Sequence, residues 1–366
     1  MSPRVIIAAN TSWYIYNFRL PLIQALKAKG CEIICLAARD QFTHILEESG
    51  VEFHQTPYSE RRVKILKELS LFIKTLIKIY SLKPAIVLSF TMRANIYTGI
   101  SRWLFKFDFI PNISGLGAFF GDMTPKYFSV RRAVLKFSLL HSKNIFVQNE
   151  YIEELFIGGR ICRQERIVRI NGSGVDSNKF KYSPPSELAG IRVGMFSRLI
   201  RSKGVLHYIE ASKDDSISGT WTLGGQLQPD GPDCITREEL DGALINSRVT
   251  FLGAVADVRT TLENIDVLVL PTYYPEGIPK ILLEGLSAGK IIITTNTPGC
   301  NETVIEGRNG FYCEPKSTDS LVRALRKAQR LTAAERIMFS RCSRRLAEAK
   351  FSLQENHQLY MKVIGF

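Results

Sequence analysis

The sequence predicts an α/β protein built from two doubly wound parallel sheets. Three observations carry that expectation. Short apolar runs alternate with amphipathic helical segments, and the alternation restarts after a Pro- and Ser-rich break. The 366 residues, 45% hydrophobic and 23% charged, are enough for two domains of about 180 residues.

In chain order, residues 5–8 read as a buried strand entered directly from the N-terminus, without signal-peptide architecture. Residues 21–29 read as a helix with Leu22, Ile23 and Leu26 on one face and Gly30 as its stop. Residues 31–37, 85–89, 109–112 and 145–148 are further short strands, with helical segments between them. The break Lys181-Tyr-Ser-Pro-Pro-Ser186 is the best linker. After it come strands at 192–196, 220–224, 249–252, 267–270 and 291–295. The expected division is 1–180, 181–350, and a C-terminal helix from 351 to 366 that crosses back to the first domain. Two such domains would face each other across a cleft lined by the carboxyl edges of their sheets.

Composition excludes several classes. No apolar run reaches about 18 residues, so no membrane-spanning helix is expected. The seven Cys are scattered without zinc-type spacing and read as reduced cytoplasmic thiols. Residues 1–180 hold 25 Lys and Arg against 14 acids, and residues 181–366 hold 23 against 21. The positive excess therefore belongs to the first half and suits nucleic acid or an anionic membrane surface.

Two motifs carry chemistry. Glu276-Gly277-Ile278-Pro279 follows an apolar strand and opens a helix that holds Glu284. Pro279 is tolerated at a helix start because that position has no intrahelical donor to lose. Amides at Gly277 and Ile278, with one carboxylate in the loop and one on the helix, suit an anionic ligand bearing hydroxyls, such as a sugar nucleotide. The second motif, Arg198 followed by Lys203 across a turn after a strand, places two cations where a diphosphate would sit. Taken alone, Arg198 and Lys203 read more readily as two solvated surface cations, and Glu284 as an ordinary exposed helix acid; the pairing of the motifs makes the functional reading the better one.

Together with Asn171-Gly-Ser-Gly-Val-Asp176, Leu252-Gly253, Pro298-Gly-Cys-Asn-Glu302 and Asn309-Gly310, these pieces span most of the second half. That half resembles the retaining glycosyltransferases of family four, which have the GT-B fold. In the first half, Tyr16-Asn-Phe-Arg-Leu-Pro21, Thr91-Met-Arg-Ala-Asn-Ile-Tyr97 and Ile113-Ser-Gly-Leu-Gly117 resemble a subgroup. Its members are bacterial N-acetylgalactosaminyltransferases of lipid-linked oligosaccharide, O-antigen and capsule assembly. The loop Asn10-Thr-Ser-Trp13 departs from the Gly-Gly loop that many family members carry.

The resemblance implies roles. Arg198 and Lys203 hold the donor diphosphate. Glu284 binds ribose hydroxyls. Glu276 approaches the donor sugar, beside Ser197, Gly277, Ile278 and Pro279. Main chain from Gly253 to Val255 reads the base. Arg19, Arg93 and Asn95 are the acceptor-side candidates. The implied donor is a nucleotide-sugar, UDP being commonest, and N-acetylhexosamine follows the subgroup. The implied acceptor is a polyprenyl-diphosphate-linked sugar. No cofactor, metal or nucleic acid is expected, because no Asp-x-Asp pair stands in the chain and two cations already face the diphosphate. The first domain has no obvious His base, so the departing phosphate oxygen would take the acceptor proton on the same face.

The basic first half then has a use on an anionic membrane, giving a cytoplasmic protein peripheral on the inner face of the cell membrane. Lys64, Lys67, Lys74 and Lys78 fall within about 80° on one helix, and Arg132, Lys136 and Lys143 align on a second. The loop before that second helix is aromatic, with Phe119, Phe120 and Phe128. A solvated cationic face over an ordinary core is the alternative. A nucleotide-sugar epimerase of the same fold, or a non-catalytic sugar-nucleotide binder, are the competing functions.

Overall fold

The computed structural model describes residues 2–56, 65–115, 125–186, 190–228, 231 and 233–366. It divides into two compact units, Met1–Ile170 with Glu355–Phe366, and Asn171–Gln354.

The first unit holds strands β1 (Arg4–Thr11), β2 (Glu32–Ala38), β3 (Glu52–Gln55), β4 (Ile86–Ser89), β5 (Asp108–Ile113), β6 (Ile145–Val147) and β7 (Ile167–Arg169). Their order is β3-β2-β1-β4-β5-β6-β7, with every pairing parallel. The winding reverses between β1 and β4, which makes that crevice the topological switch point. Alternation along β1 explains the two layers of helices. Ile6 and Ala8 join one buried cluster, and Val5, Ile7 and Ala9 join the other. β3 and β7 escape the sequence reading because they are short and half polar.

The first helix is Ser12–Ala28, nine residues longer at its start than expected, with Pro21 inside it. Thr11 caps it by accepting a hydrogen bond from the Tyr14 amide at 3.2 Å. That cap lets the helix begin directly at the end of β1, and Pro21 costs one interior hydrogen bond. The helix Leu353–Ile364 packs Tyr360 against Phe146, with ring centroids 4.2 Å apart, and Asn112 donates to its hydroxyl. The chain's last twelve residues, Glu355–Phe366, therefore belong to the first unit and complete its core.

The second unit holds β8 (Ile191–Phe196), β9 (Gly219–Gly224), β10 (Val249–Phe251), β11 (Val267–Leu270), β12 (Ile291–Thr295) and β13 (Gly310–Cys313). The order is β10-β9-β8-β11-β12-β13, again all parallel. Its switch point lies between β8 and β11. Buried Asp266 locks that junction: Arg192 donates to it at 2.7 and 3.1 Å, and the Ser186 amide at 2.8 Å. Burial works to raise the Asp266 pKa, but these donors outweigh it and hold the carboxyl below its ordinary value.

The junction between the units falls at Ile170 and Asn171, not at 180/181. Residues 171–180 are held by the second unit before the Pro-rich break begins. Asn171 donates to the Lys350 carbonyl at 2.9 Å, the Val175 amide to Phe351 at 2.8 Å, and Ser287 to the Phe180 carbonyl at 2.8 Å. Among the described residues, no helix is long and apolar enough to cross a membrane.

Candidate active site

The site grows from the carboxyl ends of β8 and β11. After β8, Ser197 donates to the Arg198 carbonyl at 2.9 Å and the chain turns through Arg201–Lys203. Asp233 fixes that turn by accepting from the Ser202 amide at 2.9 Å and from the Ser202 hydroxyl. Arg201 is occupied outside the turn by Glu239. The turn ends at Gly204 with φ +79°, and a Cβ there would lie 2.4 Å from the Pro271 carbonyl oxygen. Only glycine brings the β8 loop this close to the end of β11.

After β11, Thr272 donates to the Ser202 carbonyl at 3.0 Å, and the Tyr273 amide does so at 2.8 Å. The two loops are thus sewn together. Lys203, 6% exposed, donates to Glu276 from across the seam. Tyr274 stands beside both cations, its ring centroid 5.5 Å from Arg198 Cζ and 5.7 Å from Lys203 Nζ. Arg198 itself is exposed.

Pro279 is the cap residue of the helix Lys280–Ser287, one position ahead of the first helical residue expected for it. The first turn of that helix carries no acid, so its N-terminal end is electrostatically compatible with an anion. Gly277, Ile278 and Pro279 are buried. Gly172, at φ +64°, lets the chain pass Ile278 so closely that a Cβ would meet it at 2.9 Å. That contact explains Gly172 in the Asn171–Asp176 stretch.

Glu284 is 6% exposed and meets Lys280 at 3.2 Å. Burial raises its pKa; Lys280 pulls the other way without cancelling the effect, and the nearby Asp257 charge adds to it. Gly253, at φ +69°, accepts at its carbonyl from the Gly225 amide at 2.7 Å. Val255 sits against Gly224, where a Cβ would approach its side chain to 2.6 Å. The stretch 253–257 therefore runs beside the end of β9 and reaches the neighbourhood of Glu284.

The acceptor-side candidates are placed differently. Arg19 is 2% exposed, its guanidinium 4.1 Å from the Phe90 ring centroid and within 3.2 Å of the Tyr14 hydroxyl. Asn95 is buried, accepting from Ser89 at 2.5 Å and donating to the Asn112 carbonyl at 3.0 Å. Arg93 pairs with Glu68 at 2.6 Å. Arg19 and Asn95 are buried braces beside β4 and β5, whereas Arg93 stays half-buried and is engaged by Glu68. Polar residues next to a strand end look alike in sequence whether they point in or out. Leu116 and Gly117 of the neighbouring motif lie outside the described residues.

Sequence reasoning missed Thr272, Tyr274 and Asp233. Tyr274 had a signal, an aromatic two residues ahead of Glu276. Asp233 had none, because its partner is 31 residues away. Cys300 also reaches the site: burial pushes its thiol up to about 11, with the Glu276 charge adding to that and Lys203 opposing it.

Residues 179–339 match the family model of glycosyl transferases group 1. This chain is a glycosyltransferase. A relative from Campylobacter jejuni, an N,N'-diacetylbacillosaminyl-diphospho-undecaprenol alpha-1,3-N-acetylgalactosaminyltransferase, is 25% identical over 325 residues and covers 84% of each chain. An Escherichia coli UDP-Gal:alpha-D-GlcNAc-diphosphoundecaprenol alpha-1,3-galactosyltransferase is 30% identical over 176 residues, 42% of this chain and 43% of the relative. Among solved structures, Anabaena HepE in complex with UDP and glucose superposes with a TM-score of 0.80 at 19% identity, covering 99% of each chain. The fold of this glycosyltransferase is GT-B, as its two parallel-sheet units and the structural match both show.

Proposed function

We propose that the protein transfers a sugar, with retention, from a UDP-sugar to a polyprenyl-diphosphate-linked sugar during assembly of a bacterial surface glycan. N-acetylhexosamine is the expected sugar. The observation that carries the reading is the buried Lys203 held against Glu276 at the β8/β11 switch point, with Arg198 beside it around Tyr274. A diphosphate entering this crevice meets Lys203 and Arg198 beside the start of the helix Lys280–Ser287. It competes with Glu276 for the Lys203 ammonium, which frees the carboxylate for hydroxyls of the transferred sugar. Glu284, with Lys280 beside it, faces the ribose, and the main chain from Gly253 to Val255 faces the base.

In the transfer step the bond from the sugar's anomeric carbon to phosphate breaks and the nucleoside diphosphate departs. The acceptor hydroxyl attacks on the same face and gives its proton to the departing phosphate oxygen. The protein supplies position and positive charge. Relatives that extend undecaprenyl-diphosphate sugars support the acceptor class. The basic first half supports residence on the inner face of the cell membrane. With two cations on the leaving group, the reaction needs no metal or organic cofactor, so turnover should be unchanged in EDTA; loss that manganese or magnesium restores would overturn that point. The deciding experiment incubates the protein with UDP-sugars and a polyprenyl-diphosphate sugar and weighs the lipid. A lipid one sugar heavier is expected. An epimerised donor with unchanged lipid, or bound but unreacted donor, would replace the reading with an epimerase or a binding protein.

A further inference from the structure

We infer that the first unit binds an anionic bilayer by sinking an apolar ridge into it, and that its lysines only flank that ridge. The inference rests on the membrane-associated reading above and names its mode of contact.

The helix Ile65–Leu82 has two apolar faces. Leu71, Ile79 and Leu82 are buried with Thr75 against the unit's core. Leu66, Leu69, Ile73, Ile77 and Tyr80 are exposed, Leu66 by 82% and Ile77 by 58%. At 100° per residue these five lie within about 80° of each other, on the side away from the buried set. The helix Pro125–Leu139 repeats the arrangement: Leu135 and Leu139 are buried, while Val130, Val134 and Phe137 are exposed within about 60°. Both helices pack on Met92–Ser101. The turn after that helix joins the two stripes. Tyr80 meets Phe105 with centroids 5.1 Å apart, Trp103 stacks on Phe137 at 4.6 Å, and Leu104 between them is 63% exposed. The result is one apolar surface running over three elements. Apolar patches of that extent on a protein surface mark a binding face.

Charge selects the occupant. Residues 65–106 hold seven Lys or Arg and one acid, Glu68, which Arg93 already pairs. Residues 125–143 hold five and none. A second copy of this chain would bring two such cationic fields together. Anionic headgroups neutralise them, while the apolar side chains reach the acyl boundary and lysine stems lie along it. Lys74 and Lys78 sit beside the exposed stripe rather than on it. Lys64 and the aromatic pair Phe119 and Phe120 lie outside the described residues, as do the side chains of Lys67 and Phe128.

The test is partition of the full chain onto vesicles of phosphatidylcholine and phosphatidylglycerol, at low salt and at about 1 M NaCl, where the Debye length is about 3 Å. Wild type should stay substantially bound at high salt, and brominated acyl chains should quench a fluorescence component that Trp103→Phe removes. The triple variant L69Q/I73Q/I77Q changes only exposed positions. Its high-salt partition should fall by about a hundredfold, leaving a weak, salt-released remainder. K74Q/K78Q should lose only the low-salt increment. Complete release of wild type by salt, or unchanged partition of the triple variant, would overturn the ridge. So would a wild type that is dimeric without lipid and becomes monomeric in the triple variant. Transfer to a water-soluble short-chain diphosphate acceptor is read in parallel. The triple variant should keep it. If wild type binds vesicles through the ridge yet transfers sugar to no diphosphate lipid, the functional reading fails and the ridge stands.

Discussion

Lys203 and Glu276 are 73 positions apart and meet at one seam. Because the lysine is nearly buried, its charge is available to a diphosphate at low solvent screening, where it has most effect on a departing dianion. Arg198→Ala and Lys203→Ala should each cost about 2–4 kcal/mol of transition-state stabilisation, roughly a thirtyfold to thousandfold loss in kcat. Near-normal turnover at saturating donor in either variant would remove that cation from the clamp. Glu284 offers a second test with a sign. Its pKa lies above the ordinary 4.5 because burial disfavours the carboxylate. A carboxyl raised in the folded chain contributes its stability at acid pH and loses it as pH rises through the folded value. Glu284→Gln should therefore gain stability relative to wild type as pH rises from 4 toward 8, while binding UDP more weakly at every pH. Denaturant titrations across that range, alongside calorimetric titration with UDP, check both halves. Tighter UDP binding in the variant would end the ribose assignment.

At the scale of elements, the site depends on two loops meeting at Gly204 and Pro271. Gly204→Ala adds a Cβ at positive φ and against a carbonyl oxygen, neither of which can give. The cost should be about 1–3 kcal/mol of stability together with a larger loss of activity, since Lys203 immediately precedes it. Wild-type stability measured by urea titration would show that the seam has slack. Elements also show where sequence reading stops. The central strands were legible because strands buried on both faces are continuous apolar runs, as at Val267–Leu270. Short edge strands such as Ile167–Arg169 were not, for want of such a run. The Arg198/Lys203 and Glu276/Glu284 motifs were each legible because spacing around a strand end is local; that Lys203 meets Glu276 is a tertiary contact. That Arg19 and Asn95 are buried was not legible, because burial is a tertiary property. Period 3.6 aligned the lysines of Ile65–Leu82 but could not say which of its apolar residues enter the core.

For the whole molecule, the partition of cores is the consequential fact. The first unit buries two clusters, one on each face of its sheet, and the last helix completes one of them through Tyr360. The second unit buries its own cluster around Trp221 and Tyr208, whose rings are 5.3 Å apart. The proposed donor residues all belong to this second unit, whereas the cationic excess and the apolar ridge belong to the first. Calorimetric unfolding should then show two components with separate sensitivities. Tyr360→Ala removes a fully buried ring and leaves the Asn112 Nδ2 without its acceptor, so it should cost the first unit about 3–5 kcal/mol and lower one component only. UDP binds the folded second unit and should raise the other component, by about 2.7 kcal/mol at a hundred times its Kd. The same variant should keep UDP affinity, because no donor residue touches Tyr360, and should lose transfer as its first unit melts. A single transition that moves with both Tyr360→Ala and UDP would mean that the two cores fold as one, and the assignment of donor and membrane tasks to separate units would lose its thermodynamic basis.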